Sequence, residues 1–303
     1  MNFEISLHIP VLTKEVLEYL DPKQNENFID ATVGEGGHSM LILEKNKPNG
    51  RVLGIDWDAG QIENSKLHLA DFKERIVLVN DSYFNLQNII AKENFAPVHG
   101  ILLDLGMSSW QLEKSLKGFS FTKSEPLDMR YDILNSTTAQ KIINEESQFE
   151  LEKILKEYGE EKFAHNIAKK IVEKRRFKKI ESTLELVSII EEAIPPKFRH
   201  GHPHFATRSF QAIRIAVNRE LDNLTGFLPQ AIETLSSKGR LVIISFHSLE
   251  DKIVKNFFKE MEKLGLVKIL TKKPVVACAS EILANPRSRS AKLRAIIKLE
   301  NRS

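Results

Sequence analysis

Four short apolar runs, each closing on an aspartate, shape the first third of the chain. They are 27–32 around Asp30, 51–56 ending at Asp56, 76–80 followed by Asp81, and 100–106 around Asp104. Each run is too short for a core helix, and the last three are rich in Val, Ile and Leu, which reads as a buried strand. Stretches with helical spacing follow at 38–43, 59–72 and 84–93. Strand and helix alternating over short connections demand parallel strands, because each crossover returns the chain to the same end of the sheet. The helices must then cover both faces. The expected fold is a Rossmann-like, doubly wound α/β core with a mostly parallel sheet. A helix over 10–20, stopped by Asp21-Pro22, precedes it.

In such a sheet, ligands bind beyond the carboxyl ends of the strands. The first connection, Asp30 to His38, carries Gly34, Gly36 and Gly37. Glycines there let a ligand approach the backbone, and the following helix N-terminus favours an anionic group; the alternative is a tight turn that binds nothing. The spacing is not the GxGxxG of a dinucleotide site, which argues against a nicotinamide enzyme. Asp56 lies about 20 residues beyond, where an acid accepts hydrogen bonds from ribose hydroxyls. Asp58 competes for that role but better fits a helix N-cap. After the third run, Phe84 is a candidate to pack on a base and Asp81 to accept from its amino group. A core aromatic and an N-cap are the alternatives. At the fourth run, Asp104 is a candidate hydrogen-bond acceptor for an exocyclic amine, with cofactor contact equally open. Gln111 is placed to fix either ligand.

The alternation then breaks. From about 110 to 205 helical patterns dominate, at 138–144, 149–157, 160–175 and 182–194, the last ended by Pro195-Pro196. An inserted helical domain over 109–205 is expected, with the core formed by 1–108 and 206–303. Helical stretches at 208–221 and 226–236 lead to a fifth strand, 239–245. A helix over 249–263 and two final runs, 266–270 and 293–299, complete the core, the runs as an antiparallel pair.

The net charge of +3 permits a polyanionic partner without requiring one, so local clusters carry that question. Arg208 and Arg214 lie among histidines and phenylalanines in 202–214, and Arg287 and Arg289 lie in a basic run over 285–294. Arginine beside aromatics suits RNA phosphates and bases. A third basic cluster spans 169–179, and for each of the three a solvated face is the competing reading. His200, His202 and His204 lack a placed carboxylate or cysteine, so no metal is expected. The lone Cys278 excludes an internal disulfide and suits a reducing, cytoplasmic setting. With no basic-then-apolar leader and no apolar stretch near ~20 residues, a soluble protein with no membrane association is expected. A homodimer is compatible with the sequence but not required by it.

Several motifs in one order resemble the MraW/RsmH family of 16S ribosomal RNA (cytosine-N4)-methyltransferases. They are His8 to Leu12, Asp30 to His38, Leu103 to Gln111, Gly118 to Phe121, Pro126 to Arg130, Ala206 to Asn218, Ile244 to Asp251 and Asn285 to Arg294. The resemblance spans nearly the whole chain. It implies a methyltransferase core with a helical, substrate-recognising insertion. It implies S-adenosylmethionine as cofactor, held by Gly36, Gly37, His38, Asp56, Phe84, Asp104 and Gln111. The implied substrate is a cytosine near the decoding centre of the small ribosomal subunit, with Asp104 the candidate catalytic residue. Trp110 stands where the family pattern has proline, Ser124-Glu125 where it has Asp-Gly, and Tyr131 where it has methionine.

Overall fold

The computed structural model describes residues 10–113, 115–201 and 203–300. His8, Ile9 and His202 lie outside them. The strands are β1 (Phe28–Asp30), β2 (Val52–Asp56), β3 (Ile76–Asn80), β4 (Val98–Asp104), β5 (Leu235–Ser245), β6 (Val267–Ile269), β7 (Val275–Val276) and β8 (Lys292–Lys298). They form one sheet in the order β3-β2-β1-β4-β5-β8-β6, with β7 paired to β8. β1 to β5 are parallel, and β8 runs antiparallel to β5, β6 and β7. The strand order reverses between β1 and β4, and that switch opens a crevice at the carboxyl edge.

The strand-to-helix alternation holds. α1 (Thr13–Leu20), α2 (Gly37–Lys45), α3 (Ala59–His68) and α4 (Leu86–Glu93) accompany the first four strands. In β4 the side chains alternate between two cores, as the period of a strand dictates. Ile101 and Leu103 join a cluster with Ile29, Ile55 and Leu86, whereas Leu102 joins Val16, Leu20, Ile42 and Leu43. All of these are buried, which is why the runs read as continuously apolar.

The chain forms two compact units: one ends at Gly106 and resumes at Leu221, the other is Met107–Glu220. The second contains α5 (Ser109–Glu113), α6 (Ala139–Glu145), α7 (Gln148–Gly159), α8 (Ala164–Arg175), α9 (Thr183–Ala193) and α10 (Thr207–Asn218). Its helices start at hydroxyl caps: Thr138, Ser147 and Ser182 each accept from a first-turn backbone N–H. Ser182 and Glu185 complete a capping box. Leu151, Leu155, Ile167, Ile171, Leu186 and Ile190 fill its core. The sequence places the return to the sheet domain at 206, but α10 belongs to this helical core through Phe210, Ala212 and Ile213. Its apolar stripe reads the same whichever core it faces. α11 (Glu220–Thr234), α12 (Ser248–Lys263) and α13 (Ala279–Ala284) follow.

The residues that depart from the family pattern have local roles. Glu125 is buried, accepts from Gly118 N at 2.9 Å, and its own N–H donates to Thr183 Oγ1 at 3.0 Å. Tyr131 stacks on Phe119, with ring centroids 5.3 Å apart. Trp110 is accommodated within α5, and its carbonyl accepts from Ser115 N.

α7 and α10 approach closely at Gly159, where an added Cβ would sit 2.6 Å from the Arg208 carbonyl oxygen. A backbone carbonyl in a helix has little room to move. Gly159→Ala is therefore expected to destabilise the protein by about 1–3 kcal/mol despite alanine's better helix propensity. Urea denaturation measures this, and an unchanged midpoint would mean that the two helices do not meet there.

Candidate active site at the carboxyl edge

β1 ends at Asp30 and the chain turns at once through the glycine loop. Gly34 (φ +52°) and Gly36 (φ +89°) occupy the left-handed region, which glycine enters at little cost. Gly36 is the N-cap of α2, and no side chain among the described residues caps that helix. Its first N–H groups and the positive end of its dipole thus favour an electron-rich ligand group.

Asp56 braces this loop from β2. Its Oδ2 accepts from Gly34 N at 3.0 Å and its Oδ1 from Asp58 N at 2.9 Å. Part of the side chain remains reachable by solvent. Even so, desolvation outweighs the two donated hydrogen bonds and pushes the carboxyl up to about 7. Asp58 takes the N-cap role: it is buried and accepts from Gly60 N at 2.9 Å.

After β3, Asp81 acts as a turn acceptor, with Oδ1 taking bonds from Ser82 N at 2.6 Å and Asn85 Nδ2 at 2.8 Å. Phe84 does not enter the core. It is 45% exposed, and its ring lies against Gly226, where an added Cβ would overlap it. Gln230 Nε2 donates to its carbonyl at 2.7 Å. Trp57 stacks on Tyr83, which meets Phe227 edge-on. An exposed phenyl ring beside a stacked indole–phenol pair is a surface on which a flat base can rest.

At the switch point, Asp104 N donates to Thr32 Oγ1 at 2.7 Å, tying the end of β4 to the loop after β1. Asp104 Oδ1 accepts from Gly106 N at 3.1 Å. Its Oδ2 lies 3.6 Å from His38 Nε2, near enough for electrostatic attraction but too far for a hydrogen bond. His38 is buried, and neither ring nitrogen has a hydrogen-bond partner among the described residues. Behind it Asp30 is buried, accepting from Ser39 Oγ at 2.7 Å. Burial raises its pKa, and nearby His38 pulls it back down in part. Gly36, Gly37, His38, Asp56, Phe84 and Asp104 thus share one edge of one unit. The approach of His38 to Asp104 was invisible in the sequence, since it arises from the pairing of β1 with β4.

The remaining candidates are carried by the helical unit and by the segment before β8. Gln111, in α5 of the helical unit, is buried and caps its own helix: Oε1 accepts from Ser108 N at 3.0 Å, while Gln111 N donates to Ser108 Oγ at 3.1 Å. Arg208 is exposed on α10 and donates to the Glu160 carbonyl at 3.3 Å. Arg214 is nearly buried, and its fork grips both oxygens of Glu220 at 2.8 Å. Arg289 is exposed and Arg287 half-buried on the short turn Pro286–Ser290. In the 169–179 cluster Lys170, Lys174 and Lys178 pair with Glu173, Glu192 and Glu185, so much of that charge is neutralised locally. His204 stacks between Phe121 and Phe205.

A doubly wound sheet with a glycine turn after β1, an acid after β2, an aromatic after β3 and an antiparallel β8 beside β5 defines the Rossmann-like methyltransferase class. The MraW methylase family model matches residues 5–299, and the chain belongs to that family. It is 49% identical to the ribosomal RNA small subunit methyltransferase H of Sulfurihydrogenibium sp. (strain YO3AOP1), over 95% of this chain and 97% of the relative. It is also 49% identical to the protein of that name from Thermotoga neapolitana, covering 95% of each. Identity to the one from Heliobacterium modesticaldum is 44%, over 96% and 98%.

The state of Asp56 sets a pH dependence. Its folded pKa lies above the ordinary value, so the stability its neutral form contributes is full at low pH and is lost as pH rises from about 4 through about 7. Hydrogen bonds from ligand hydroxyls favour the anion instead. Affinity for S-adenosylmethionine is expected to rise several-fold between about pH 6 and 8 by calorimetry. Asp56→Asn should bind more weakly and lose the dependence; a flat wild-type profile would remove Asp56 from the cofactor site.

Proposed function

We propose that this protein transfers a methyl group from S-adenosylmethionine to the exocyclic N4 of a cytosine in small-subunit ribosomal RNA, near the decoding centre, in the cytoplasm. The observation that carries the reading is Asp104 at the switch point, with its backbone held by Thr32 and one carboxylate oxygen turned toward the ligand edge. Family membership and the names of the relatives support the substrate class. No helix among the described residues is long and apolar enough to cross a membrane.

The residues present fit the cofactor. His38 is a buried imidazole with both nitrogens unsatisfied, a situation that costs roughly 1–3 kcal/mol until a ligand supplies a partner. Gly36, Gly37 and His38 at the start of α2 would hold a polar end of the cofactor, Asp56 its ribose, and Phe84 its base. When bound, S-adenosylmethionine supplies a methyl group made electrophilic by the sulfonium charge.

The protein's own part is positioning and desolvation. An amine conjugated to a pyrimidine ring is a poor nucleophile because its lone pair is delocalised. Asp104 Oδ1 is engaged by Gly106, so Oδ2 is the oxygen available to accept from an N–H of the amine. That hydrogen bond turns the amine and returns electron density to nitrogen. The nitrogen becomes far more acidic once alkylated, so its proton can pass to water without a dedicated base. The cytosine must be splayed out of its strand to reach this edge, as in other enzymes acting on bases.

Incubating small ribosomal subunits with labelled S-adenosylmethionine, followed by nucleoside analysis, tests the whole reading. N4-methylcytidine is expected; label in another nucleoside, or none, contradicts it. Asp104→Asn keeps the shape and removes the charge. It is expected to lower kcat/KM by roughly 100-fold. Unaltered turnover and cofactor affinity would dismiss Asp104 from both roles.

A further inference from the structure

A second positively charged feature lies in the sheet unit, well away from the glycine loop. A cleft of about 390 Å³ opens between α12 and the segment after β6, lined by Lys255, Lys259, Lys272, Lys273 and Arg294. Arg294 is nearly buried and locked to Asp251, with Nε 2.6 Å from Oδ1, so it forms the wall. The four lysines are exposed, and none has an ion-pair partner among the described residues. Glu262, the acid in the lining, has one carboxylate oxygen turned to Ile269 N at 2.8 Å.

This arrangement is not that of an ordinary solvated helix. Lys252, Lys255, Lys259 and Lys263 recur at spacings that put them on one face of α12. Like charges three and four residues apart repel, and Glu262 is the one acid of α12 that lines the cleft with them. Here Lys272 and Lys273 add two more charges from across the cleft. By contrast, Lys170, Lys174 and Lys178 in the helical unit each have a glutamate partner.

Topology sets where the cleft lies. β6 is antiparallel to β8, which is antiparallel to β5, so β6 points the same way as β1 to β5. Thr271, whose Oγ1 accepts from Ala295 N, begins the segment beyond the carboxyl end of β6. The chain then continues through β7 along β8, so the cleft lies on the flank of the sheet, between α12 and the segment that links β6 to β7. From β1 to β6 there are four strand spacings, about 20 Å across the sheet.

We infer that the cleft formed by Lys255, Lys259, Lys272 and Lys273 binds the phosphodiester backbone of the RNA substrate at a point remote from the methylated base. This rests on the reading of the substrate as RNA. Lysine ammonium groups hold phosphates as point charges and carry no sequence information, so the cleft positions the strand while the cofactor edge selects the base. Nothing in the cleft touches the cofactor edge, so its loss weakens substrate binding and leaves cofactor binding intact.

The test compares wild type with Lys255→Ala/Lys259→Ala/Lys272→Ala/Lys273→Ala in binding to small ribosomal subunits over a salt series. Each phosphate contact on single-stranded RNA contributes about 0.7 to the slope of log K against log salt, so the slope should fall by about 2–3. Affinity near physiological salt should fall at least tenfold, with an unchanged S-adenosylmethionine Kd. Should the fourfold variant fold poorly, Lys272→Ala/Lys273→Ala, confined to a loop, should lower the slope by about one. An unchanged slope overturns the inference. So does weakened subunit binding that leaves the salt slope for naked RNA intact, which would assign the cleft to an acidic protein instead. A wild-type enzyme that methylates no ribosomal RNA refutes the proposed function itself. Wild-type methylation with an unaltered variant slope refutes the cleft alone.

Discussion

The pairing of β1 with β2 on one side and β4 on the other holds this protein's site together. β1 is only three residues long, and all three are buried. Its short length brings the glycine turn immediately beside the end of β2, where Asp56 grips it, and beside the end of β4, where Thr32 receives the Asp104 amide. Past Asp30, Ala31 N still donates to the Leu102 carbonyl and Val33 N to the Ile55 carbonyl, which keeps the chain between β4 and β2 as far as the glycines. His38 depends on the same pairing, since it is carried into the crevice on the first turn of α2 while Asp104 arrives from a strand 66 residues later in the chain.

Two kinds of electrostatic design coexist in the molecule. At the cofactor edge, carboxylates are gathered against their mutual repulsion and kept tolerable by backbone amides and by Ser39. In the lysine cleft the excess is of the opposite sign and is left uncompensated. A net charge near zero conceals this separation, because it averages an acidic edge segment with a basic one.

What could be read from the sequence follows from the same physics. Buried parallel strands such as Leu102–Asp104 announce themselves by continuous apolar runs, and the acids that end them mark the ligand edge. The hydroxyl caps at Ser147 and Ser182 signal helix starts by type and spacing. The two-residue β7 is too short to show any period. α10 was assigned to the sheet domain because an amphipathic stripe does not say which core it enters. The ion pair of Arg214 with Glu220, six residues on, has no signature in the sequence beyond the two charges. The lysine cleft has no linear signature, because its charges come from two stretches separated by more than a dozen residues and interrupted by Glu260 and Glu262. Proximity set by strand order, as for His38 and Asp104, has no linear signature at all.

The sheet is assembled from two ends of the chain, and this has a consequence during synthesis. β4 pairs with β1 on one edge and β5 on the other, yet β5 begins about 130 residues after β4 ends. At roughly 5–20 residues per second, the apolar edge of β4 waits on the order of ten seconds for its neighbour to leave the ribosome. An unpaired strand edge rich in apolar residues is a template for association with other chains. The intervening helical unit is contiguous, with its own core and its own capped helices, so it can fold during that interval. During that interval the helical unit has all of its own core residues, whereas the sheet lacks β5, β6, β7 and β8.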